Sequence, residues 1–366
     1  MDKDELNEIT QKIAGIDSDF SLEFCIGMMG TSGVGKTVLM IAMLYYLLLR
    51  ETGLNIDTSH KKELLGNYTR LCSGEILPGT ARQQKWEFVV KYGNLKLFNF
   101  NWIDYRGGAT NNPDDPEFEK FYDYIKSAIA IFVLADADEF MNNPQKIHAE
   151  LKAFRALLEV SLTRNERPIH LVLILTKSDA IALRRIGFIK WWNKDLLLGV
   201  CNEVFAPVFQ EFVRKSDNIR CDVIPISAYG KSGIINHRKT IVVKPHTKSL
   251  QSFQIDSPLR YVFSSILKSI DLQIPELEAD LKALQTLNVG KKEKLNGVIF
   301  SKWLSPKRFF SRTCNQEFLD LKNERRDVQY QIKLCEIFIN ELKQKSKIAK
   351  KIIAEIDQDE LVGFSY

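Results

Sequence analysis

One short stretch near the amino terminus constrains the fold of this chain more than any other. Residues 30–37 read Gly-Thr-Ser-Gly-Val-Gly-Lys-Thr and match the pattern G-x-x-x-x-G-K-[ST]. The stretch follows a predicted strand, 23–29, and opens a strongly apolar predicted helix, 38–49. A glycine-rich turn in this context predicts a phosphate-binding loop, and the alternative is a glycine-rich turn without a ligand.

Backbone amides and two side chains carry the chemistry of such a loop. Glycine lets the chain turn its N–H groups towards phosphate oxygens, and the helix N-terminus adds the positive end of its dipole. Lys36 is predicted to reach the β- and γ-phosphates, and the Thr37 hydroxyl to bind Mg²⁺. The predicted phosphate-binding residues are Gly30, Ser32, Gly33, Val34, Gly35, Lys36 and Thr37.

Strand patterns alternate with helical patterns between residues 20 and 272, which predicts an α/β fold with a mostly parallel sheet. Residues 51–79 are polar and are predicted to be irregular. Segment 231–256 is predicted to be an insertion, with a hairpin of 240–244 and 250–255. The predicted strands are 23–29, 85–91, 94–103, 128–135, 169–175 and 220–226, and the predicted helices are 38–49, 115–127, 144–163, 180–193, 196–215 and 257–272.

Polar signatures follow three further strands, at the carboxyl ends where parallel sheets bind ligands. Asp104 ends the strand 94–103 and is the expected carboxylate for Mg²⁺, commonly through a water. Gly107, three residues later, offers a backbone N–H to a γ-phosphate. A lone D-x-x-G is weak, but its position after a phosphate-binding loop favours this interpretation.

The sequence Thr176-Lys177-Ser178-Asp179 follows the strand 169–175 and fits the pattern [NT]-K-x-D. Asp179 can accept hydrogen bonds from guanine N1–H and the 2-amino group, which adenine cannot supply together. The Lys177 stem can pack over the base while its ammonium stays hydrated. The pattern therefore favours guanine, and the alternative is a surface charge pair.

Ser227-Ala228 follows the strand 220–226 and would place the Ala228 N–H near guanine O6. The dipeptide is common, so it corroborates the other motifs without carrying the interpretation alone.

The order of these motifs resembles the translation-factor and Ras-like (TRAFAC) class of GTPases over about residues 20–272. The resemblance implies a P-loop NTPase G domain that binds GTP and GDP with Mg²⁺, in which the helix after Pro258 is the last. Within the class the sequence resembles bacterial double-GTPases and defence-associated GTPases, whose P-loop lysine is also followed by Thr-Val.

The resemblance also implies a switch threonine and a catalytic set. Thr80 stands where the class carries a threonine that senses Mg²⁺ and the γ-phosphate, and Thr58 and Thr69 are less well placed. The class has a water-orienting glutamine directly after Gly107, whereas this chain has Gly108, so slow intrinsic hydrolysis is expected. Arg106 could stabilise the transition state or be a salt-bridging switch residue, and a partner could supply the missing group. The implied catalytic residues are Lys36, Thr80, Arg106 and Gly107.

From residue 273 the sequence changes to long helical patterns, after a predicted break at Pro275. Apolar residues at steps of three and four predict a helix over 316–358, as one arm of a helical hairpin or coiled coil. The alternative is an ordinary helical subdomain folded against the core. The seam residues are Leu321, Val328, Ile332, Cys335, Ile339, Leu342, Ala349, Ile353 and Ile356.

These patterns predict three regions: a polar N-terminal arm at 1–19, a G domain at 20–272 and a helical arm at 273–366. The arm is the expected surface for a protein partner or a second protomer. Within it, 291–312 interleaves basic and aromatic residues and could contact a membrane surface or nucleic acid, although a loop packed by its own aromatics is favoured.

Composition limits the remaining classes. A net charge of +5 over 366 residues is too small to argue for nucleic acid. The apolar run 38–49 is shorter than the ~20 residues that span a bilayer, so no transmembrane segment is expected. Cysteines without paired spacing favour free thiols, and a cytoplasmic location is expected.

Two functions that use guanine nucleotide remain open. One is a molecular switch that hydrolyses GTP slowly and couples its state to the helical arm. The other is a scaffold that binds guanine nucleotide without hydrolysing it, and an ATPase is a third reading.

Overall fold

The computed structural model describes residues 23–49, 54–75, 77, 84–92, 95–104, 125, 128–162, 169–181, 194–216, 218–229, 234–237, 240–243, 252–255, 257–304, 312–356 and 364–365. Its strands are β1 (Glu23–Met29), β2 (Leu54–Asp57), β3 (Gln84–Tyr92), β4 (Leu95–Asp104), β5 (Ala128–Asp136), β6 (Ile169–Thr176), β7 (Ile219–Pro225), β8 (Ile234–His237), β9 (Thr240–Val243) and β10 (Phe364–Ser365). Its helices are α1 (Lys36–Leu49), α2 (Lys61–Cys72), α3 (Ala137–Asn142), α4 (Pro144–Leu162), α5 (Lys194–Arg214), α6 (Ser257–Leu304) and α7 (Arg312–Ile356).

The described strands form an eight-stranded sheet in the order β10-β7-β6-β5-β1-β4-β3-β2, and β8 and β9 form a separate hairpin. Strands β7, β6, β5, β1 and β4 are parallel to one another, whereas β10 pairs antiparallel with β7, β3 with β4, and β2 with β3. The carboxyl ends of the parallel strands therefore meet at one edge. The predicted class, a mostly parallel α/β sheet with a C-terminal helical extension, is confirmed.

Helices cover both faces of the parallel strands. Every residue of β6 is buried, as expected of a strand without a solvent-facing side. Leu171 and Leu173 pack in a core cluster with residues of α4 and α5, whereas His170, on the other face, contacts Ser265 of α6. The first turns of α6 therefore pack opposite α4 and α5.

Helix α5 is the one described helix long and apolar enough to cross a membrane, with a mean hydropathy of 1.4 over its best window. Its apolar residues, among them Val204, Phe205 and Val208, are buried in the core cluster of the sheet. Core packing therefore accounts for the composition of this helix.

Segment 51–79, predicted to be irregular, contains β2 and α2, and that prediction is wrong. β2 adds to the sheet edge by pairing antiparallel with β3. Tyr68, Leu71 and Cys72 of α2 are buried, and the Tyr68 ring stacks on Tyr45 of α1 at a centroid distance of 3.4 Å. Tertiary contacts stabilise a helix whose own apolar pattern is weak.

The predicted hairpin in the insertion is also placed differently. β9 pairs with β8 on its N-terminal side, where Thr240 is opposite His237 across a two-residue connection. Segment 250–255 is not its partner, because Phe253 forms a bridge with Ser227 instead.

Pro275 does not break the helix, because α6 runs through it without interruption. Proline removes one backbone hydrogen bond, at a cost of about 3 kcal/mol. Burial of Ile270 and Leu284 on either side stabilises the helical form of the segment.

The chain divides into two compact units, one containing Leu267–Lys350 and the other Ser21–Ile266 with Lys351–Tyr366. The predicted regions differ, since they assigned all of 273–366 to the arm. Residues 351–366 group with the sheet because β10 pairs antiparallel with β7. The predicted arm at 1–19 and the predicted helix at 115–127 lie outside the described residues, apart from residue 125.

The unit of Leu267–Lys350 contains an antiparallel pair made by the later part of α6 and by α7. Asp271 accepts from Ser346 at 2.8 Å, Lys343 pairs with Glu278 at 2.7 Å, and Lys291 pairs with Glu324. The seam is apolar and includes Leu284 with Val328, Cys335 and Phe338, so the helical hairpin packs through the predicted face of α7.

Candidate functional site

The loop between β1 and α1 needs glycine at three positions for two reasons. Gly33 has φ 80° and Gly35 has φ 95°, and a Cβ added at either would meet nothing within 4 Å. The positive φ values, rather than crowding, therefore require glycine there. At Gly30 a Cβ would lie 2.8 Å from Val34 Cγ1 and 3.2 Å from Leu134 Cβ, so close packing requires glycine.

Lys36 lies across this loop, and its side chain is 6% exposed. Its Nζ donates to the Gly30 carbonyl at 2.7 Å and to the Thr31 carbonyl at 3.0 Å. The first turn of α1 contains no acidic residue, so no carboxylate there opposes an anion at the helix N-terminus. The loop, Lys36 and the N-terminus of α1 together place a cation and the positive end of a helix dipole where a phosphate could bind.

Thr176 joins the phosphate-binding loop to the loop that follows β6. Its hydroxyl, which is buried, lies 2.8 Å from the Val34 carbonyl and 3.0 Å from the Ala135 carbonyl. Because the threonine has one hydroxyl proton, these two acceptors share it. The predicted phosphate and base motifs are therefore in direct contact.

Lys177 adopts a left-handed backbone, with φ 51°. Its ammonium donates to Asp136 Oδ2 at 2.5 Å. The other oxygen of Asp136 caps α3 by accepting from the Asp138 and Glu139 amides at 2.9 and 3.2 Å. The ion pair thus positions Lys177 from the end of β5.

Asp179 is the most unusual polar group of the site. It is 1% exposed, and among the described residues its Oδ2 has no hydrogen-bond partner. Burial raises the pKa of Asp179 to about 6, although a hydrogen bond with Ser227, its own backbone amide and the charge of Lys177 act in the opposite direction. A buried carboxylate oxygen without a donor is costly, and a ligand with N–H groups would satisfy it.

Backbone hydrogen bonds connect the loops after β6 and β7. The Ser178 amide donates to the Ile226 carbonyl at 3.2 Å, and the Ile226 amide to the Leu175 carbonyl at 2.8 Å. Ser227, 1% exposed, lies beside Asp179 and hydrogen bonds to it. The structure therefore brings Thr176, Lys177, Asp179, Ser227 and Ala228 to the same edge as residues 30–37.

Two further residues near this site lie outside the sequence motifs. Asp136 carries no motif, and only its place at the end of β5 could have indicated a role. Tyr229 follows Ala228, and burial raises the pKa of its phenol to about 12, with Asp179 and Cys72 adding to the effect. Cys72 ends α2, so this helix also reaches the neighbourhood of the base motif.

Of the predicted metal-site residues, Thr37 lies in the first turn of α1, next to the loop. The backbone of Asp104 ends β4 and is paired in register with Met28, two residues before Gly30. A hydroxyl and a carboxylate are oxygen donors of the kind that Mg²⁺ prefers, so the residue types at these places fit that ion.

The predicted switch and catalytic positions Thr80, Arg106, Gly107 and Gly108 lie outside the described residues. The two less favoured threonines make local bonds. Thr58 Oγ1 accepts from the His60 amide at 3.2 Å, and Thr69 Oγ1 donates to the Leu65 carbonyl at 2.9 Å.

No family model and no curated protein matches this sequence. Among solved structures, the chain is similar to the signal recognition particle receptor SRb-GTP/SRX complex from Chaetomium thermophilum, with 15% identity over 57% of this chain and 91% of that one and a TM-score of 0.33. The GTP-bound Ski7 GTPase-like domain of S. cerevisiae is 15% identical over 72% and 51% of the two chains, with a TM-score of 0.35. A GDP-bound NFeoB mutant from S. thermophilus is 15% identical over 92% and 100%, with a TM-score of 0.31.

These matches are too distant to support a functional inference. The fold class follows instead from the residues of the chain itself. The strand–loop–helix at 30–37, the mostly parallel sheet and the loops after β6 and β7 give this chain the fold of a P-loop NTPase G domain. The narrower resemblance to double-GTPases and defence-associated GTPases stays a prediction.

Proposed function

We propose that this chain binds a guanine nucleotide with Mg²⁺ and hydrolyses GTP slowly to GDP. The observation that carries the proposal is Asp179, whose buried Oδ2 has no hydrogen-bond partner among the described residues. It lies beside a phosphate-binding loop, to which Thr176 connects its own loop. Guanine offers two N–H donors on one edge, which matches an acceptor of this kind.

Each part of the site has a separate role in this proposal. The amides of 30–37 and Lys36 bind the phosphates, and the Lys177 stem packs on the base. Asp179 accepts from the guanine N1–H and 2-amino group, and the Ala228 amide donates to O6. Thr37 and Asp104 would hold Mg²⁺, which neutralises charge on the β- and γ-phosphates when it is bound.

Hydrolysis is expected to be slow for the reason already visible in the sequence. Gly108 has no side chain that could orient the attacking water. We propose that Arg106 or a group from a second molecule stabilises the transition state, with Thr80 and Gly107 reporting the γ-phosphate. The helical hairpin is the proposed surface for that second molecule, and the proposed location is the cytoplasm.

Phosphate release from GTP and from ATP, measured over a range of protein concentrations, tests the activity. We expect release from GTP only, its loss in Lys36→Ala, and no change in Lys215→Ala, a matched substitution of an exposed lysine that follows α5. A specific rate that rises with concentration would indicate a group supplied by a second protomer. Equal release from both nucleotides would contradict the base assignment.

The second candidate is a scaffold that binds guanine nucleotide without turnover, and Gly108 is the observation that favours it. This candidate predicts nucleotide retained on the purified protein and no phosphate release at any concentration, alone or with partners. The basic and aromatic segment 291–312 favours neither candidate. One of its basic residues, Lys291, pairs with Glu324 within the hairpin.

A further inference from the structure

The loop that would face guanine O6 is tied to a distant part of the chain. Residues 252–254, here called the return segment, close the insertion that follows β7 and lead directly to α6. Ser227 and Phe253 exchange two backbone hydrogen bonds: the Phe253 amide donates to the Ser227 carbonyl at 2.8 Å, and the Ser227 amide to the Phe253 carbonyl at 3.2 Å.

Two side-chain hydrogen bonds extend this contact on either side of Ser227. Ser252 Oγ donates to the Ala228 carbonyl at 2.6 Å, and Gln254 Nε2 donates to the Pro225 carbonyl at 2.9 Å. Three successive parts of the loop, from Pro225 to Ala228, are therefore held by the return segment.

The return segment is itself anchored. The Phe253 side chain packs against the core cluster of the sheet. Gln254 has φ 51°, and the only other described non-glycine residue with positive φ is Lys177 of the base motif. A left-handed conformation at a non-glycine residue is unfavourable and persists where surrounding contacts hold it in place.

Peptide geometry gives these bonds a direction. In a trans peptide the C=O and the following N–H point to opposite sides, and the described chain contains no cis bond. The carbonyl of Ser227 and the amide of Ala228 belong to the same peptide. Because the Phe253 amide holds that carbonyl, the Ala228 N–H points away from the return segment, and Ser252 holds the next peptide in turn.

We propose that Ser252, Phe253 and Gln254 are positioning residues for the recognition of the base, and that they aim the Ala228 N–H at guanine O6. The inference rests on the proposed function, because it concerns the same site. It adds determinants of base specificity that lie in the insertion, outside the recognised motifs.

The test measures the affinities of GDP, inosine diphosphate and ADP for wild type, Ser252→Ala and Gln254→Gly. Inosine keeps O6 and N1–H but lacks the 2-amino group that Asp179 would bind. Glycine at position 254 adopts the positive φ without strain and removes the side-chain hydrogen bond to Pro225. Ser216→Ala is the matched control, since Ser216 Oγ also donates to a backbone carbonyl, that of Phe212 at 2.9 Å, at the opposite end of β7.

We expect both variants to bind GDP about 3- to 10-fold more weakly than wild type, since each loses one positioning hydrogen bond. Their affinity for inosine diphosphate should fall by the same factor, so that the ratio of the two affinities is unchanged. Ser216→Ala should bind both as wild type does, and the thermal unfolding midpoint of each nucleotide-free variant should match that of the control. A ratio that collapses would overturn the inference, because the loss would then act through the 2-amino group that Asp179 binds. An equal loss of affinity for ADP, which lacks O6, would also overturn it, because the whole site would then be weakened.

The affinities of the wild-type protein for GDP and ADP distinguish failure of this inference from failure of the proposed function. Wild type that prefers GDP, with variants that bind like Ser216→Ala, overturns the inference and leaves the proposed function intact. Wild type that binds ADP as tightly as GDP overturns the proposed function and the inference together.

Discussion

At the scale of single residues, the carboxyl group of Asp179 is the most informative feature of the site. Burial raises its pKa to about 6, against 3.8 for an ordinary aspartate. Two donors from guanine would favour the ionised form, so binding should lower this pKa and compensate for part of the cost of burial. The same group is thus unfavourable in the empty site and favourable in the complex.

A pH dependence follows from that pKa. The ionised carboxylate accepts both guanine donors and the protonated form does not, so the affinity for GDP should be constant well above pH 6 and fall as the pH decreases through 6. The expected fall is about 10-fold per pH unit at the acidic limit, because the ionised fraction decreases by that factor.

Titration calorimetry between pH 5 and 8 would measure this effect. The nucleotide phosphate also titrates near pH 6. The control is therefore Asp179→Asn, which binds the same nucleotide but lacks the carboxyl group. The difference between the two profiles isolates Asp179. Parallel profiles would show that this carboxylate does not touch the base.

The sequence motifs predicted these residues well for a physical reason. Phosphate binding and base recognition each use a short continuous segment, so their spacing is visible in the sequence. Asp136 and the return segment act on those segments from elsewhere in the chain. Their roles depend on which strands are neighbours, and that is not visible in a local pattern.

At the scale of secondary structure, apolar strands were predictable and marginal elements were not. β1, β5 and β6 are buried runs of apolar residues, and their predicted and observed bounds agree within one residue. β2 and α2 have weak patterns of their own and depend on β3 and α1. The partner of β9 also depends on a pairing that composition alone does not select.

A buried polar cluster beneath the first turns of α6 is another feature that no sequence motif predicts. His170 Nε2 lies 2.5 Å from Asp222 Oδ2, and its Nδ1 lies 3.1 Å from Ser265 Oγ. The three residues come from β6, β7 and α6, and each buried polar group finds a partner in another element. The cluster therefore helps to position the start of α6 on the sheet.

Pro275 gives a prediction about α6 itself. Pro275→Ala restores a backbone N–H for the Asp271 carbonyl and removes the clash of the proline ring, so we expect the free energy of unfolding to increase by about 1–3 kcal/mol. Urea denaturation would measure the change. Val289→Ala, on an exposed part of the same helix, should change stability by less than about 0.5 kcal/mol. A loss of stability in Pro275→Ala would mean that the proline ring makes packing contacts worth more than the hydrogen bond.

At the scale of the whole molecule, α6 contributes residues to both compact units. Its first residue, Ser257, follows the return segment closely, and its amide donates to the Gln254 carbonyl at 3.2 Å. Under the proposed function, the helix that leads to the hairpin therefore starts next to the loop that would recognise the base. Helix α6 is thus the covalent connection between this loop and the hairpin.

Under the proposed function, a buried carboxylate beside a phosphate-binding loop selects guanine, and the affinities of GDP and ADP measure that selection. For wild type we expect GDP to bind at least about 100-fold more tightly, because ADP would leave the buried oxygen of Asp179 without a donor. Asp179→Asn should lose most of that preference, while Asp320→Asn, on the hairpin, should retain it. Equal affinities for GDP and ADP in the wild-type protein would show that Asp179 does not select the base.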